Sequence, residues 1–126
     1  WDPVRVLTNS GVCEPDCVFL TRVAPGPDAT ADEAVWYVTR HDPDAGFVEM
    51  VRIVPRVTAC RLTIALRAAG AGAEALVTYS HTSLSPAGDA LVAAFSEDHY
   101  RTFMRDWEAR INHYLAHGVA LHAAGP

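Results

Sequence analysis

The clearest absence from this chain of 126 residues is lysine, because all ten of its basic residues are arginine. Without an ε-amino group, Schiff-base chemistry and the phosphate-binding lysine of a P-loop are excluded. The formal net charge is -5, and the sequence has no cluster of cations of the kind that binds nucleic acid. We therefore expect no nucleic-acid partner.

Long apolar runs and abundant cysteines are also absent. No run approaches the ~20 residues that cross a bilayer, so we expect no membrane insertion. The three cysteines, Cys13, Cys17 and Cys60, are an odd and sparse set that does not form a disulfide framework. Together with the lack of a visible secretory signal, they predict a cytoplasmic protein. Because the chain begins at Trp1 and not at a methionine, we expect its natural N-terminus to lie further upstream.

Complete catalytic and metal-binding signatures are missing as well. The serines form no Gly-x-Ser-x-Gly elbow, and no Gly-x-Gly-x-x-Gly follows a strand. Cys13 and Cys17 flank the turn-like Glu14-Pro15-Asp16. Two thiols at a hairpin are favoured over a metal or redox pair, because zinc would need two more ligands. We expect no cofactor and no metal.

In the first two thirds of the chain, apolar and polar residues alternate in several segments, and β-branched residues are plentiful. They predict strands over residues 4–8, 17–22, 34–41, 47–54, 57–68 and 73–84. Turn signals at residues 9–11, 24–28, 42–46 and 70–72 separate these segments. The order predicts an antiparallel sheet.

After Ser85-Pro86 the apolar period changes to that of a helix. The stripe comprises Tyr100, Phe103, Met104, Trp107, Ile111, Tyr114 and Leu115. With Ser96 as N-cap and Gly118 just past the end, the pattern predicts a helix over residues 97–117, about 30 Å long. Residues 89–95 are expected to form a short helix or turn. One domain over residues 1–118 and a tail over 119–126 follow from this order.

An apolar sheet face and an apolar helix stripe cannot both stay in water. The fold class is therefore predicted to be α+β, with a curved antiparallel sheet wrapped around the long C-terminal helix. Antiparallel sheets with exposed edges also make a homodimer plausible.

The strand over residues 73–84 is the most informative for function. One of its faces changes from apolar to polar along the sequence Ala75, Val77, Tyr79, His81, Ser83. This gradient suits a strand that runs from a core into the mouth of a cavity. His81 is thus a candidate ligand-orienting group or acid/base, although a hydrogen-bonded structural histidine is the more frequent role.

The register of the predicted hairpin over residues 34–54 stays open. Alternation places Trp36, Val38 and Arg40 on one face and Tyr37, Thr39 and His41 on the other. One register sets Arg40 opposite Glu49, and the other sets Trp36 opposite Arg52. A slip of one residue exchanges the two faces. We expect Arg52 to face water.

On the predicted helix, two groups of residues have alternative roles. Met104 and Trp107 are core residues by default, and such side chains also line pockets for apolar ligands. His113 and His117 have a spacing that can hold a metal. We interpret them as solvated surface histidines, because no glutamate follows His113.

The sequence resembles the SRPBCC superfamily, the START-like helix-grip proteins that include polyketide cyclases and aromatases, and in particular an uncharacterised bacterial branch of it. The resemblance covers nearly the whole chain. It is carried by residues 18–21, 35–42, 77–84, 107–108 and 112–115. It implies a deep cavity between sheet and C-terminal helix that holds a lipid, polyketide or other apolar molecule. It also implies an N-terminal strand and two short helices that would precede this chain.

Three functions remain in order of preference. The first is binding of a hydrophobic small molecule, with ligand contacts expected from Trp36, Tyr79, His81, Phe103, Met104 and Trp107. The second is a cyclase or aromatase that uses Tyr79 and His81 as proton donor and acceptor. The third is a stress-related or chaperone-adaptor domain that acts through an exposed apolar patch. No catalytic residue is assigned.

Overall fold

The computed structural model describes residues 3–8, 13–23 and 33–121. Within them the chain forms six strands and two helices. The strands are β1 (Pro3–Val6), β2 (Val18–Arg22), β3 (Glu33–Asp42), β4 (Phe47–Val54), β5 (Thr58–Ala69) and β6 (Gly72–Ser83), followed by helices α1 (Pro86–Ala94) and α2 (Glu97–His117). Each strand pairs antiparallel with the next in one sheet of order β1-β2-β3-β4-β5-β6. The predicted α+β class is confirmed.

The predicted elements agree closely with the observed ones. β4 and α2 have the predicted bounds, and four strands differ by one residue at one or both ends. β1 ends two residues earlier than predicted, and the short helix α1 begins at Pro86 rather than at residue 89. The turns predicted at residues 9–11 and 24–28, and the last five residues of the tail, lie outside the described part of the chain.

One side of the sheet carries the core, and we call it the Trp36 face. Register and alternation place on it Trp36 and Val38 from β3, Met50 and Arg52 from β4, Cys60 and Leu62 from β5, and Tyr79 and His81 from β6. Val38 and Leu62 are fully inaccessible to solvent. The buried indole Nε1 of Trp36 donates to Thr21 Oγ1 at 2.8 Å, so its polar atom is satisfied inside the core.

A β-bulge in β3 determines which side chains reach this face. Val38 pairs with Met50 and Arg40 pairs with Glu49, so Thr39 is an extra residue. The Thr39 hydroxyl donates to the Glu49 side chain at 2.9 Å. The bulge makes both alternative registers correct, because Trp36 pairs with Arg52 before it and Arg40 pairs with Glu49 after it.

Two predictions about this hairpin were wrong for that reason. Arg40 does not share a face with Trp36 and Val38; it lies on the opposite side, with its Cζ 4.6 Å from the centre of the Phe47 ring. His41 is correspondingly on the Trp36 face, opposite Val48. Arg52, which was expected to face water, is half-buried on the Trp36 face with its Cζ 5.8 Å from the Trp36 ring centre.

The chain divides into two compact units, Trp1–Val92 and Ala93–Pro126. In the first unit, the start of α1 packs on the sheet at Gly88. A Cβ there would lie 1.9 Å from the Val57 carbonyl oxygen, so only glycine fits this close approach.

The second unit is built on α2 and its caps. Ser96 Oγ accepts from the His99 backbone N–H at 3.2 Å, and Gly118 adopts φ 70 and donates to the Tyr114 carbonyl at 2.7 Å. Phe95, just before the N-cap, contacts Tyr100 with ring centres 6.0 Å apart, which is a hydrophobic staple. The predicted caps are confirmed. In the described ranges, neither helix has the length and apolar character needed to cross a membrane.

Candidate functional site

A row of four side chains crosses the Trp36 face. Trp36 pairs with Arg52, Arg52 with Cys60, and Cys60 with His81, so the side chains of four adjacent strands point the same way at a spacing of about 4.8 Å between strands. Phe19 extends the row on β2 and stacks on Trp36 with ring centres 5.7 Å apart. The row thus contains two stacked aromatic rings, then a cation, a thiol and an imidazole on successive strands.

Arg52 is the charged member of this row. Its guanidinium lies beside Trp36, and its charge acts on Cys60, Tyr79 and His81. Burial lowers the pKa of Arg52 from its ordinary value. The ion pairs seen in the described residues join Arg67 to Glu74 and two arginines of α2 to their neighbours, and none includes Arg52.

Tyr79 and His81 lie next to each other on β6 and stack with ring centres 5.8 Å apart. Burial, and then the positive charge of Arg52, lower the pKa of His81 below its usual value near 6.5. His81 is therefore neutral at physiological pH. Burial also raises the pKa of the Cys60 thiol, with Arg52 acting in the opposite direction. A guanidinium, a phenol and a neutral imidazole can together donate hydrogen bonds to an anion or move a proton.

Accessibility varies along the Trp36 face. Met50 and Leu62, in its middle, are 4% and 0% exposed. Along β6, by contrast, Val77, Tyr79 and His81 are half-buried, whereas the residues between them are exposed. The alternation predicted for β6 is confirmed, and the more accessible part of the Trp36 face runs along this strand.

A cavity of about 250 Å³ lies at the loop end of the β3–β4 hairpin. We call it the hairpin-end cavity. Strand residues His41, Phe47, Val48, Ile64 and Leu66 line it together with Pro43 and Gly46 of the loop. Of these residues His41 alone is ionisable, and the others offer apolar surface or backbone. Ile64 pairs with Val77 of β6, so the cavity adjoins the accessible strip along that strand.

Sequence reasoning missed His41 as a lining residue. Strict alternation from Trp36 placed it on the opposite face, but the bulge at Thr39 interrupts the alternation, and His41 lies on the cavity side. The only feature of the nearby sequence that bears on His41 is the run of polar residues at the end of β3. Such a run does not show where a bulge lies.

The predicted site residues fall into two sets. Trp36, Tyr79 and His81 lie on the Trp36 face of the first unit. Phe103, Met104 and Trp107 lie on one stripe of α2 in the second unit, since residues three and four apart share a helix face. Phe103 also meets Phe95, with ring centres 6.0 Å apart.

The candidate metal ligands do not assemble into a site in the described ranges, where no group of three suitable side chains occurs. Cys13, Cys17 and Cys60 are free thiols. Cys17 is buried and accepts from Thr8 Oγ1 at 3.4 Å, while burial and then the neighbouring Cys17 raise the pKa of Cys13. His113 and His117 approach each other with ring centres 4.5 Å apart.

Comparison of the chain with protein-family models, with curated proteins and with solved structures found no match.

Proposed function

We propose that this protein binds a hydrophobic small molecule on the Trp36 face, with the hairpin-end cavity as its point of access. One observation carries the proposal: a cavity of about 250 Å³ with mostly apolar walls adjoins a half-buried strip that ends in polar groups. An apolar concave surface with a few polar groups is the usual composition of a small-molecule site.

The dimensions favour a ligand longer than the cavity. Small-molecule pockets measure roughly 300–1,000 Å³, so this cavity suits one end of a ligand. The remainder of the ligand would follow β6 from Val77 to His81, which are about 13 Å apart along the strand. Met50 and Leu62 belong to the closed core beside this path.

The helix-grip arrangement implied by the resemblance is part of the same proposal. The stripe of α2 that contains Phe103, Met104 and Trp107 would cover the Trp36 face and close the site from the other side. Support comes from the matching apolar character of the two surfaces. Nuclear Overhauser effects between the Trp107 indole and Tyr79 would test this packing directly.

Binding is tested with the neutral fluorescent probe N-phenyl-1-naphthylamine. The purified protein should enhance its fluorescence, and Val48→Phe should weaken that binding about tenfold, because the larger side chain fills the cavity. Val51→Phe is the matched control, since Val51 lies on the same strand, is also half-buried, and points to the opposite face.

Two results would contradict the proposal. One is a folded wild-type protein that leaves the probe fluorescence unchanged. The other is equal weakening by Val48→Phe and Val51→Phe, which would place the probe elsewhere or reflect a general loss of stability.

A cyclase or aromatase type of enzyme is the second candidate, favoured by the convergence of Tyr79, His81 and Arg52 on one part of the face. Native mass spectrometry of protein purified gently from its host would identify a bound molecule. Incubation of that molecule with Tyr79→Phe and His81→Phe proteins would follow. Loss of conversion with binding retained would favour the enzyme, whereas an unchanged molecule in the wild type would exclude turnover of that compound.

The cellular setting that we propose is a reducing cytoplasm. All three cysteines are free thiols and two of them are buried, which is typical of proteins in compartments where thiols stay reduced.

A further inference from the structure

The half-buried guanidinium of Arg52 raises the question of what balances its charge. Charges removed from water are normally paired, because the loss of hydration is unfavourable for an unpaired ion. The ion pairs of the described residues do not include Arg52. The stacked indole of Trp36, 5.8 Å away, offsets only part of that cost.

Two further donors accompany Arg52. Tyr79 and His81 stack against each other with ring centres 5.8 Å apart, and the charge of Arg52 acts on both. A planar guanidinium with a phenol and an imidazole nearby matches the oxygens of a carboxylate, which guanidinium groups bind in a bidentate fashion. The groups lie at the polar end of β6, opposite the apolar end next to the cavity.

From this arrangement we infer that the ligand is an apolar monocarboxylate whose carboxylate binds Arg52, with Tyr79 and His81 beside it and its apolar body directed along β6 toward the hairpin-end cavity. This inference rests on the proposed function and narrows its ligand class. The ligand complements the site twice, through charge at one end and apolar surface at the other.

The test compares two probes that differ only in their polar end, dodecanoate and 1-dodecanol, at neutral pH and below the concentrations at which they aggregate. Each is titrated against protein loaded with N-phenyl-1-naphthylamine. Dodecanoate is expected to displace the probe at a concentration about tenfold or more lower than 1-dodecanol, as for a charge-assisted hydrogen-bonded pair. Arg52→Met should abolish this preference while 1-dodecanol binds as before.

Arg61→Met is the matched control, because Arg61 lies on β5, is exposed, and points to the opposite face. It should keep the full preference for dodecanoate. A preference that survives Arg52→Met, or equal displacement by the two probes in the wild type, would overturn the inference and leave the proposed function standing. Failure of both probes and of the neutral dye to bind would overturn the proposed function as well.

A second measurement needs no variant of Arg52 and so does not depend on its folding. Burial and the Arg52 charge hold the pKa of His81 low in the free protein, and Cys60 and Tyr79 are the other titratable groups beside it. A carboxylate at Arg52 would raise the pKa of His81 by compensating that charge. NMR titration of the imidazole should show this rise with dodecanoate and not with 1-dodecanol; the same pKa with both ligands bound would contradict the inference.

Discussion

The two long hairpins of the sheet, β3–β4 and β5–β6, differ in the regularity of their strand pairing. β5 and β6 pair without interruption from Thr58 and Ser83 to Ala69 and Gly72, so every second residue of β6 keeps its face. β3 and β4 also pair along their lengths, but β3 contains the additional Thr39. The comparison shows that a bulge of one residue places later side chains on a different face from the one that strict alternation predicts.

The bulge has a clear electrostatic consequence. If Thr39 paired as a regular strand residue and β3 had no bulge, alternation would direct the Arg40 side chain toward the hairpin-end cavity and His41 away from it. With Thr39 bulged, Arg40 lies over Phe47 on the exposed side and His41 lines the cavity. The cavity wall therefore carries the His41 imidazole and not the Arg40 guanidinium.

The largest expected difference between the two hairpins is in their response to the deletion of one threonine. Deleting Thr78 from β6 forces the residues on one side of the deletion to the wrong face, so we expect a loss of at least about 3 kcal/mol in the free energy of unfolding. Deleting Thr39 only removes the extra residue and leaves every neighbour on its present face. We expect this deletion to cost about 1 kcal/mol, from the lost hydrogen bond to Glu49 and the changed strand bend.

Urea unfolding followed by circular dichroism would measure both deletions. Thr39→Ala, which keeps the residue count, separates the hydroxyl contribution from that of the bulge. Equal destabilisation by the two deletions would show that Thr39 is not an extra residue in the native sheet.

Alanine substitutions at the turn glycines of the two hairpins should differ in their effect on stability, by less than the two deletions do. Gly46 and Gly70 both have positive φ, 65 and 56, so alanine is strained at each by about 1 kcal/mol. A Cβ at Gly46 would also meet the Leu66 carbonyl oxygen at 3.0 Å, whereas one at Gly70 would meet nothing within 4 Å. Gly46→Ala should therefore destabilise the protein by about 2 kcal/mol and Gly70→Ala by about 1 kcal/mol. Thermal unfolding would compare them, and equal losses would argue against the close packing of the β3–β4 loop on β5.

The smallest expected effect concerns pH and His81. Its pKa is lowered in the folded protein, so the unfolded chain takes up the proton first as the pH falls below about 6.5. The free energy of unfolding of the wild type should therefore decrease as the pH falls from about 6.5 to the pKa of His81 in the folded protein. At neutral pH and above, His81 should cause no such loss of stability. His81→Phe keeps the ring beside Tyr79 and should flatten the stability curve over the same window. Parallel curves for the two proteins would exclude an environment that disfavours protonated His81.

Local patterns predicted much of this fold. The i, i+3, i+4 stripe, the Ser96 cap and Gly118 located α2 to the residue, because helix ends depend on groups close in sequence. The face of β6 that contains Tyr79 and His81 was predicted correctly for a similar reason, since its pairing with β5 is regular. The same rule failed after Val38, where a bulge interrupts the alternation.

The candidate site was only partly predictable. Trp36, Tyr79 and His81 were identified and lie on one face, but Arg52 was expected in water and His41 on the opposite side. Nothing within a few residues of Arg52 indicates that its guanidinium lies beside Trp36 and acts on Cys60 and His81. Those neighbours come from three different strands.

Composition, short-range periodicity and caps were enough to predict the types of the elements, nearly all their bounds, and the absence of lysine chemistry. The bulge at Thr39, the placement of Arg40, His41 and Arg52, and the position of the cavity depend instead on packing between strands. The reason is energetic: the register of a hairpin is selected by burial across neighbouring strands. Here, with the bulge, Val38 is buried on one face while the Arg40 charge is exposed on the other.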